Sequence, residues 1–150
     1  MHSVIIDRSK MYKRAFKKRN IKTAMTAGMR ELGKKVTDEA KYGILNSPRG
    51  YKEYGVVVNN VRITRESSYP NTYPADQTGD LRRSIGYRHP GSQLMEVYAD
   101  VYYAGWVEEG HMWGRTYIEP RPFLTTADNS VGQTERKRIL KKHVVKAWGV

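Results

Sequence analysis

The stretch YYAGWVEEGHMW, residues 102–113, contains the residue types from which an acid/base or metal site is built. Glu108 and Glu109 are adjacent carboxylates, and His111 follows them closely. A metal site needs ligands that converge, and the helical His-x-x-x-His spacing that indicates this reliably does not occur in the sequence. Adjacent glutamates also point apart on either a helix or a strand. The favoured interpretation is therefore that one glutamate binds backbone or cationic partners while the aromatic side chains pack. We predict no catalytic residue, metal or cofactor.

The other motifs give no better support for an enzyme. The sequence has no Ser-His-Asp order, P-loop or dinucleotide fingerprint. Gly79 is a single glycine, which provides no cradle of amides for a phosphate, so residues 78–80 are interpreted as a turn. A small basic nuclease would need the carboxylates or the histidine of residues 102–113 as a general base or metal ligand. A nuclease is therefore kept as one of three functional classes, beside a structural protein and a nucleic-acid-binding module.

Charge is the strongest signal in the composition, since the chain has a formal net charge of +12. One acid-free stretch carries these cations: Arg8, Lys10, Lys13, Arg14, Lys17, Lys18, Arg19 and Lys22. Such a block favours a nucleic acid or an acidic protein surface, and a solvated arm is the alternative. We predict a basic N-terminal arm over residues 1–19, in which residues 4–6 form a short strand or a hydrophobic hook.

Length and cysteine content limit the class of protein further. A chain of 150 residues is typical of one domain. With no cysteine, disulfides and thiolate metal sites are excluded. No apolar run approaches the roughly 20 residues that cross a bilayer, and the N terminus lacks the pattern of a signal peptide. We therefore expect a soluble protein that is made in a cytoplasm and has no membrane partner.

Residues 20–47 are predicted to form a long first helix. Apolar residues recur there at steps of three or four, at Ile21, Met25, Gly28 or Met29, Leu32, Val36, Ala40 and Ile44. Pro48 ends the helix because it disfavours the α conformation in the residue before it. A helix of this length spans about 40 Å, so part of its apolar stripe is expected to face another subunit.

The remaining elements predict an α+β fold. A hairpin about Asn59-Asn60 is expected at residues 54–65, since Asn tolerates the positive φ of tight turns. We further predict an irregular loop at 66–80, strands at 81–88 and 93–101, and a helical region at 124–148. In the last strand, Met95, Val97, Ala99 and Val101 form the expected core face. The long N-terminal helix and the C-terminal helix then pack on a mostly antiparallel β-sheet, in one domain over residues 20–150.

Tyrosine is common, with 11 residues in the chain, and several tyrosines fall in predicted loops. They are Tyr69, Tyr73, Tyr102, Tyr103 and Tyr117. Beside basic residues such side chains stack on nucleobases. At protein interfaces they bury area at low entropic cost while the hydroxyl stays hydrated. No strand shows the alternating aromatics of an RNA-recognition sheet, so an interface with another protein is favoured.

Three segments resemble elements of one protein family, the head–tail connector proteins of long-tailed bacteriophages, also called tail-completion or minor tail component proteins. TGDLRRSI, residues 78–85, is similar to that family's Thr-Gly-x-Leu-Arg-x-Ser-Ile element. Residues 102–110 and 120–127 are similar to its Tyr-Ala-x-x-Val-Glu-x-Gly and Pro-x-Pro-Phe-Leu-x-x-Ala elements. The matching positions are Tyr103, Ala104, Val107, Glu108 and Gly110, and then Pro120, Pro122, Phe123, Leu124 and Ala127. An inserted hairpin and loop at about 49–77 departs from the family pattern, as does His111.

The resemblance implies a structural virion protein and no enzyme. Its subunits would form a ring, a hexamer, in the neck between head and tail, with genomic DNA in the lumen. Head-completion and tail-terminator or tail-tube proteins would flank it, after assembly in the host cytoplasm. We expect the subunit interface to include Tyr102, Tyr103, Trp106, Glu108, Trp113, Pro122 and Phe123. The cations from Arg8 to Arg19 would contact DNA or a neighbouring protein, and the main alternative function is a basic nucleic-acid-binding module.

Overall fold

Twelve elements make up the fold in the computed structural model, which describes residues 2–7, 19–91 and 93–148. In chain order they are β1 (His2–Asp7), α1 (Arg19–Leu45), β2 (Glu53–Val58), β3 (Val61–Glu66), α2 (Asp80–Ser84), β4 (Ile85–Gly91), β5 (Leu94–Ala99), α3 (Ala104–Glu109), β6 (His111–Trp113), β7 (Thr116–Ile118), α4 (Leu124–Ser130) and α5 (Gln133–Trp148). Long helices at both ends and antiparallel sheets between them confirm the predicted α+β class.

Helix α1 is the centre of the core, and its predicted position is confirmed. All seven residues of the apolar stripe are buried, from Ile21 to Ile44. Two glycines extend the contact surface, because their missing side chains let neighbours approach closely. A Cβ at Gly33 would lie 2.3 Å from the sulfur of Met95 in β5, and one at Gly28 would lie 3.0 Å from Leu140 in α5. The helix therefore packs against the sheet on one side and against α5 on another.

The main sheet has three antiparallel strands in the order β1-β5-β4. Met95, Val97 and Ala99 are buried on its core face, as predicted, while Val101 is only partly buried. The edge strand β1 corrects the predicted arm: His2–Asp7 pairs with β5 along its whole length and belongs to the domain. The cations of residues 8–18 lie outside the described residues, and Arg19 begins α1.

The segment predicted as a strand at 81–88 is in part helical, which is a correction. Helix α2 occupies Asp80–Ser84, and β4 starts only at Ile85. Gly79 precedes the helix with a φ of 80°, a conformation that favours glycine. Asp80 in the first turn and Arg83 in the last turn form an ion pair and complement the helix dipole. These local contacts outweigh the strand propensity of the flanking residues.

The predicted helical region at 124–148 is confirmed but consists of two helices. Helix α4 ends at Ser130, and α5 begins at Gln133 after a break at Val131 and Gly132. The buried guanidinium of Arg136 donates hydrogen bonds to the carbonyl oxygens of Val131 and Asp128. It therefore joins the start of α5 to the end of α4.

Two hairpins lie outside the main sheet. The first, β2–β3, is confirmed, and both Asn59 and Asn60 have positive φ, at 51° and 62°. The second, β6–β7, falls where only a loop was expected, at His111–Trp113 and Thr116–Ile118. Both hairpins extend towards the end of α1 at which Ile44 lies, where they border a groove.

Candidate functional site

Helix α3 positions the residues of the stretch 102–113. It places Ala104 and Glu108, four residues apart, on its buried face, and Trp106 and Glu109 on its exposed face. The two adjacent glutamates therefore point apart, as the sequence predicted. His111 follows in β6, and its ring stacks on Trp106 with the centroids 5.5 Å apart. The three groups that could do acid/base chemistry do not converge on one point.

The carboxylate of Glu108 is used to cap helix α4. One oxygen accepts hydrogen bonds from the backbone amides of Phe123 and Leu124, at 2.8 and 3.0 Å, and the other accepts from Thr125 at 2.9 Å. The first amides of a helix have no partner within the helix, and the positive end of its dipole attracts an anion. Glu108 thus supplies an N-cap from 15 residues away.

Two of the predicted interface residues are buried within the single chain. Glu108 is buried beneath the surface and committed to α4, and Phe123 has no exposed area because it packs in the core. Neither side chain is accessible to another subunit. Both residues instead lock the segment 120–127 onto α3, which is a contribution to folding.

The segment PRPFL is held by further contacts. The amide of Arg121 donates to the carbonyl oxygen of Val107 at 2.8 Å, and its guanidinium donates to the backbone and hydroxyl oxygens of the buried Ser68. Gly110 has a φ of 76°, and a Cβ there would lie 2.7 Å from the carbonyl oxygen of Ile118. Helix α3, the segment 120–127 and the loop after β3 therefore form one rigid base. Sequence reasoning missed Ser68 and Arg121, because their partners are 53 residues apart.

Large aromatic side chains stand exposed on this base. The exposed fraction is 82% for Tyr102, 49% for Trp106 and 72% for Trp113. Tyr102 contacts Trp106 edge to face, with ring centroids 5.7 Å apart. Met112 and Tyr117 of the second hairpin are also exposed. We call these five residues the aromatic surface.

The other predicted interface residues are partly accessible. Tyr103 and Pro122 are half-buried. Burial raises the pKa of Tyr103 above its ordinary value, with the charge of Asp80 adding to the shift. Of the remaining loop tyrosines, Tyr69 is exposed, whereas Tyr73 packs against α1 where a Cβ on Gly43 would lie 2.4 Å from its ring. Interface propensity therefore applies to some loop tyrosines and core packing to others.

A groove of about 720 Å³ opens beside the aromatic surface. It is bordered by the start of β2, the loop after β3, the start of α2, helix α3 and hairpin β6–β7. Its aromatic lining consists of Tyr51, Tyr54, Tyr103, Trp106, His111 and Tyr117. Four carboxylates also line it, those of Glu53, Asp76, Asp80 and Glu119. Lys52 and Arg121 line it as well, and Asp76 and Asp80 pair with arginines, which leaves Glu53 and Glu119 as the lining carboxylates without an ion pair among the described residues. An aromatic lining with such carboxylates is suited to binding a chain segment that carries aromatics and cations.

The structure offers no assembled catalytic site at these residues. Glu108 accepts hydrogen bonds from three amides, and Glu109 is exposed, with a ring nitrogen of His2 3.9 Å from its carboxylate. Within residues 2–7, 19–91 and 93–148, no group of three or more His, Asp or Glu side chains could hold a metal ion. In the same residues, no helix combines the length and apolarity that crossing a membrane requires.

Comparison of the chain with protein-family models, with curated proteins and with solved structures gives no match. A rigid base bearing exposed aromatics next to a groove with acidic edges can bind another protein chain.

Proposed function

We propose that the protein is a structural component of a tailed-phage particle that forms a ring in the neck between head and tail, through which DNA passes. The observation that carries the proposal is the aromatic surface. Exposed Trp and Tyr side chains are enriched in protein interfaces, and Trp106 contacts both Tyr102 and the ring of His111. The aromatic surface is therefore an interface between subunits.

The contacts between the motif segments support the same proposal. The resemblance rests in part on residues 102–110 and 120–127, which are separated in sequence. In the fold Glu108 and the Val107 carbonyl bind the second segment through backbone amides. Since the family elements depend on each other physically, their joint occurrence in the sequence is more informative than each alone.

A closed ring requires two different complementary patches on each subunit. The aromatic surface provides one patch, and the second lies on a different part of the domain. The ring is a hexamer in the virion neck, is assembled in the host cytoplasm, and is flanked by head-completion and tail-terminator or tail-tube proteins. The protein performs no catalysis in this role.

Electron microscopy of the purified protein and of phage particles tests the proposal directly. Rings of the purified protein and a ring of matching diameter at the neck are expected. Trp106→Ala should abolish the rings and leave the fold intact, because half of the side chain is already exposed. The matched control is Tyr87→Ala, which removes an exposed aromatic of β4 and should leave rings unchanged. Persistence of rings in Trp106→Ala would count against this interface.

A basic nucleic-acid-binding module is the second candidate function, and one side of α5 favours it. Arg138, Lys141, Lys142 and Lys146 surround a shallow depression there. Two of these four cations are already engaged, Arg138 with Glu135 and Lys142 with Glu31. This candidate predicts tight binding of duplex DNA by the monomer, falling steeply between about 50 and 200 mM salt. The ring proposal predicts little affinity for free DNA.

A further inference from the structure

Two carboxylates that line the groove, those of Glu53 and Glu119, form no ion pair with a cation that the structure describes, in a chain whose net charge is +12. Glu53 and Glu66 are directly opposite each other in hairpin β2–β3, an arrangement of like charges that is destabilising. Glu119, which lines the same groove as Glu53, accepts a hydrogen bond from Tyr51. Among the residues that the structure describes, no cation pairs with any of these three carboxylates. We call Glu53, Glu66 and Glu119 the acidic rim.

The chain also carries a segment with the opposite charge. Residues 8–18, RSKMYKRAFKK, contain Arg8, Lys10, Lys13, Arg14, Lys17 and Lys18 and no acidic residue. Two aromatics, Tyr12 and Phe16, are interspersed among these cations. The segment is thus complementary to the groove in both respects, since aromatics fit the apolar lining and cations fit the acidic rim.

The two ends of this segment are fixed far from the groove. Arg19 begins α1 while Ile44, near its other end, lines the groove, and at 1.5 Å per residue the two are about 37 Å apart. Asp7 pairs with Leu94, whereas the groove follows the opposite end of β5, where His2 pairs with Ala99, about 17 Å away. Asp7 and Arg19, the described residues on either side of the segment, therefore lie at the opposite end of the domain from the groove.

Chain length then keeps the backbone of this segment away from the groove of its own molecule. An extended residue spans at most about 3.6 Å, so only a residue eleven or more positions before Arg19 could reach the groove from that side. Such a residue would be next to Asp7, which is itself about 17 Å from the groove end of the strand. No Cα between residues 8 and 18 satisfies both limits, and Tyr12 and Phe16, seven and three residues before Arg19, stay short of the groove even with the lengths of their side chains added.

We propose that residues 8–18 of one copy of the chain bind in the groove of a second copy, with Tyr12 and Phe16 against the aromatic lining and the cations on the acidic rim. The inference rests on the proposed function, since a segment at one end that binds a groove at the other is the head-to-tail contact from which rings are built. It names the second complementary patch that the ring requires.

Cross-linking between introduced cysteines tests the contact, because the native chain has no cysteine. The variant Lys17→Cys with Glu119→Cys, treated with a short bismaleimide, should give a ladder of covalently linked oligomers. The control, Lys17→Cys with Asp38→Cys, uses an exposed acidic position on α1 and should remain monomeric. A variant that stays monomeric, or that cross-links only within one chain, would overturn the proposal.

Charge reversal gives an independent measurement in the full-length protein. Glu53→Lys with Glu119→Lys should weaken self-association about tenfold, as measured by analytical ultracentrifugation. The control Asp38→Lys with Asp100→Lys changes the net charge equally at exposed sites that do not line the groove and should have no comparable effect. Adding Lys13→Glu and Lys17→Glu to the rim variant should restore association. Equal weakening in rim and control variants, or no restoration, would contradict the proposed contact.

The outcomes also separate this inference from the ring itself. Rings seen by electron microscopy together with a failed cross-link would retain the neck proposal and reject the segment contact. A cross-linked ladder without rings would retain the segment contact and reject the neck proposal.

Discussion

The groove end of the molecule and the contact between α1 and α5 both carry many charges, but they satisfy them differently. Between the helices, Glu31 binds His143 at 2.6 Å and Lys142 at 3.0 Å, and Glu135 binds both Lys35 and Arg138 at 2.6 Å. We call these six residues the helix seam. At the groove, the acidic rim has no such partners in the described chain.

Aromatic and apolar side chains divide in the same way. Phe123 and the stripe of α1 are fully used in the core, whereas Tyr102, Trp106 and Trp113 lie in solvent on a base that is itself well packed. The difference separates side chains that stabilise the fold of the single chain from side chains that are available to contact partners. Substitutions in the first set should affect stability, and those in the second set should affect assembly.

The largest contrast is expected between two aromatic residues of the same region. Phe123→Ala should lower the free energy of unfolding by about 3–5 kcal/mol, because it empties a fully buried site. Trp113→Ala should change it by less than about 0.5 kcal/mol, since the indole is mainly exposed. Urea unfolding followed by circular dichroism measures both. Similar losses for the two variants would remove the distinction between core and surface.

A smaller contrast is expected between the adjacent glutamates. Glu108→Ala should cost about 3 kcal/mol, because it leaves three amides at the start of α4 without an acceptor. Glu109→Ala should stay within about 0.5 kcal/mol, since its carboxylate is exposed. The same unfolding measurement applies, and hydrogen exchange should show faster exchange of the Leu124 and Thr125 amides only in Glu108→Ala. A larger loss of stability in Glu109→Ala than in Glu108→Ala would contradict the assignment of Glu108 as the cap of α4.

The sequence predicts those features that are determined locally. The stripe of α1 and the positive φ of Asn59-Asn60 follow from periodicity and turn chemistry, and both are confirmed. Helix α2 was missed because its start depends on side-chain contacts of Asp80 that compete with strand propensity. The short hairpin β6–β7 likewise lies in a region that the sequence predicts as a loop.

The candidate site was predicted only in part, because its geometry depends on contacts distant in sequence. Exposed Trp106 and Trp113 follow from composition and loop placement. The role of Glu108 does not, since its amide partners lie 15 to 17 residues away in another element. The acidic rim likewise forms only when hairpin β2–β3 and Glu119 meet at the groove. Local patterns therefore identify which residues are special, whereas tertiary contacts determine what they do.

The smallest expected effect comes from titrating the helix seam. The hydrogen bonds from Arg138 and Lys35 lower the pKa of Glu135 from 4.5 to about 2, and those from His143 and Lys142 lower the pKa of Glu31. Because both pKa values are lower in the folded state, the stabilisation is complete above about pH 4.5 and is lost as the pH falls towards about 2. The side chains are accessible to solvent, so screening keeps the effect small.

Thermal melts of the native protein and of Glu135→Gln between pH 6 and 2 isolate this contribution. The native protein should melt at the higher temperature above pH 4.5, and the difference between the two should vanish towards pH 2. High salt should reduce the difference at neutral pH. The variant Glu53→Gln, in the acidic rim, provides the matched comparison. It removes one of the two opposed carboxylates, Glu53 and Glu66, so it should raise the melting temperature at neutral pH or leave it unchanged. A lower melting temperature in that variant would mean that the rim, like the seam, stabilises the single chain.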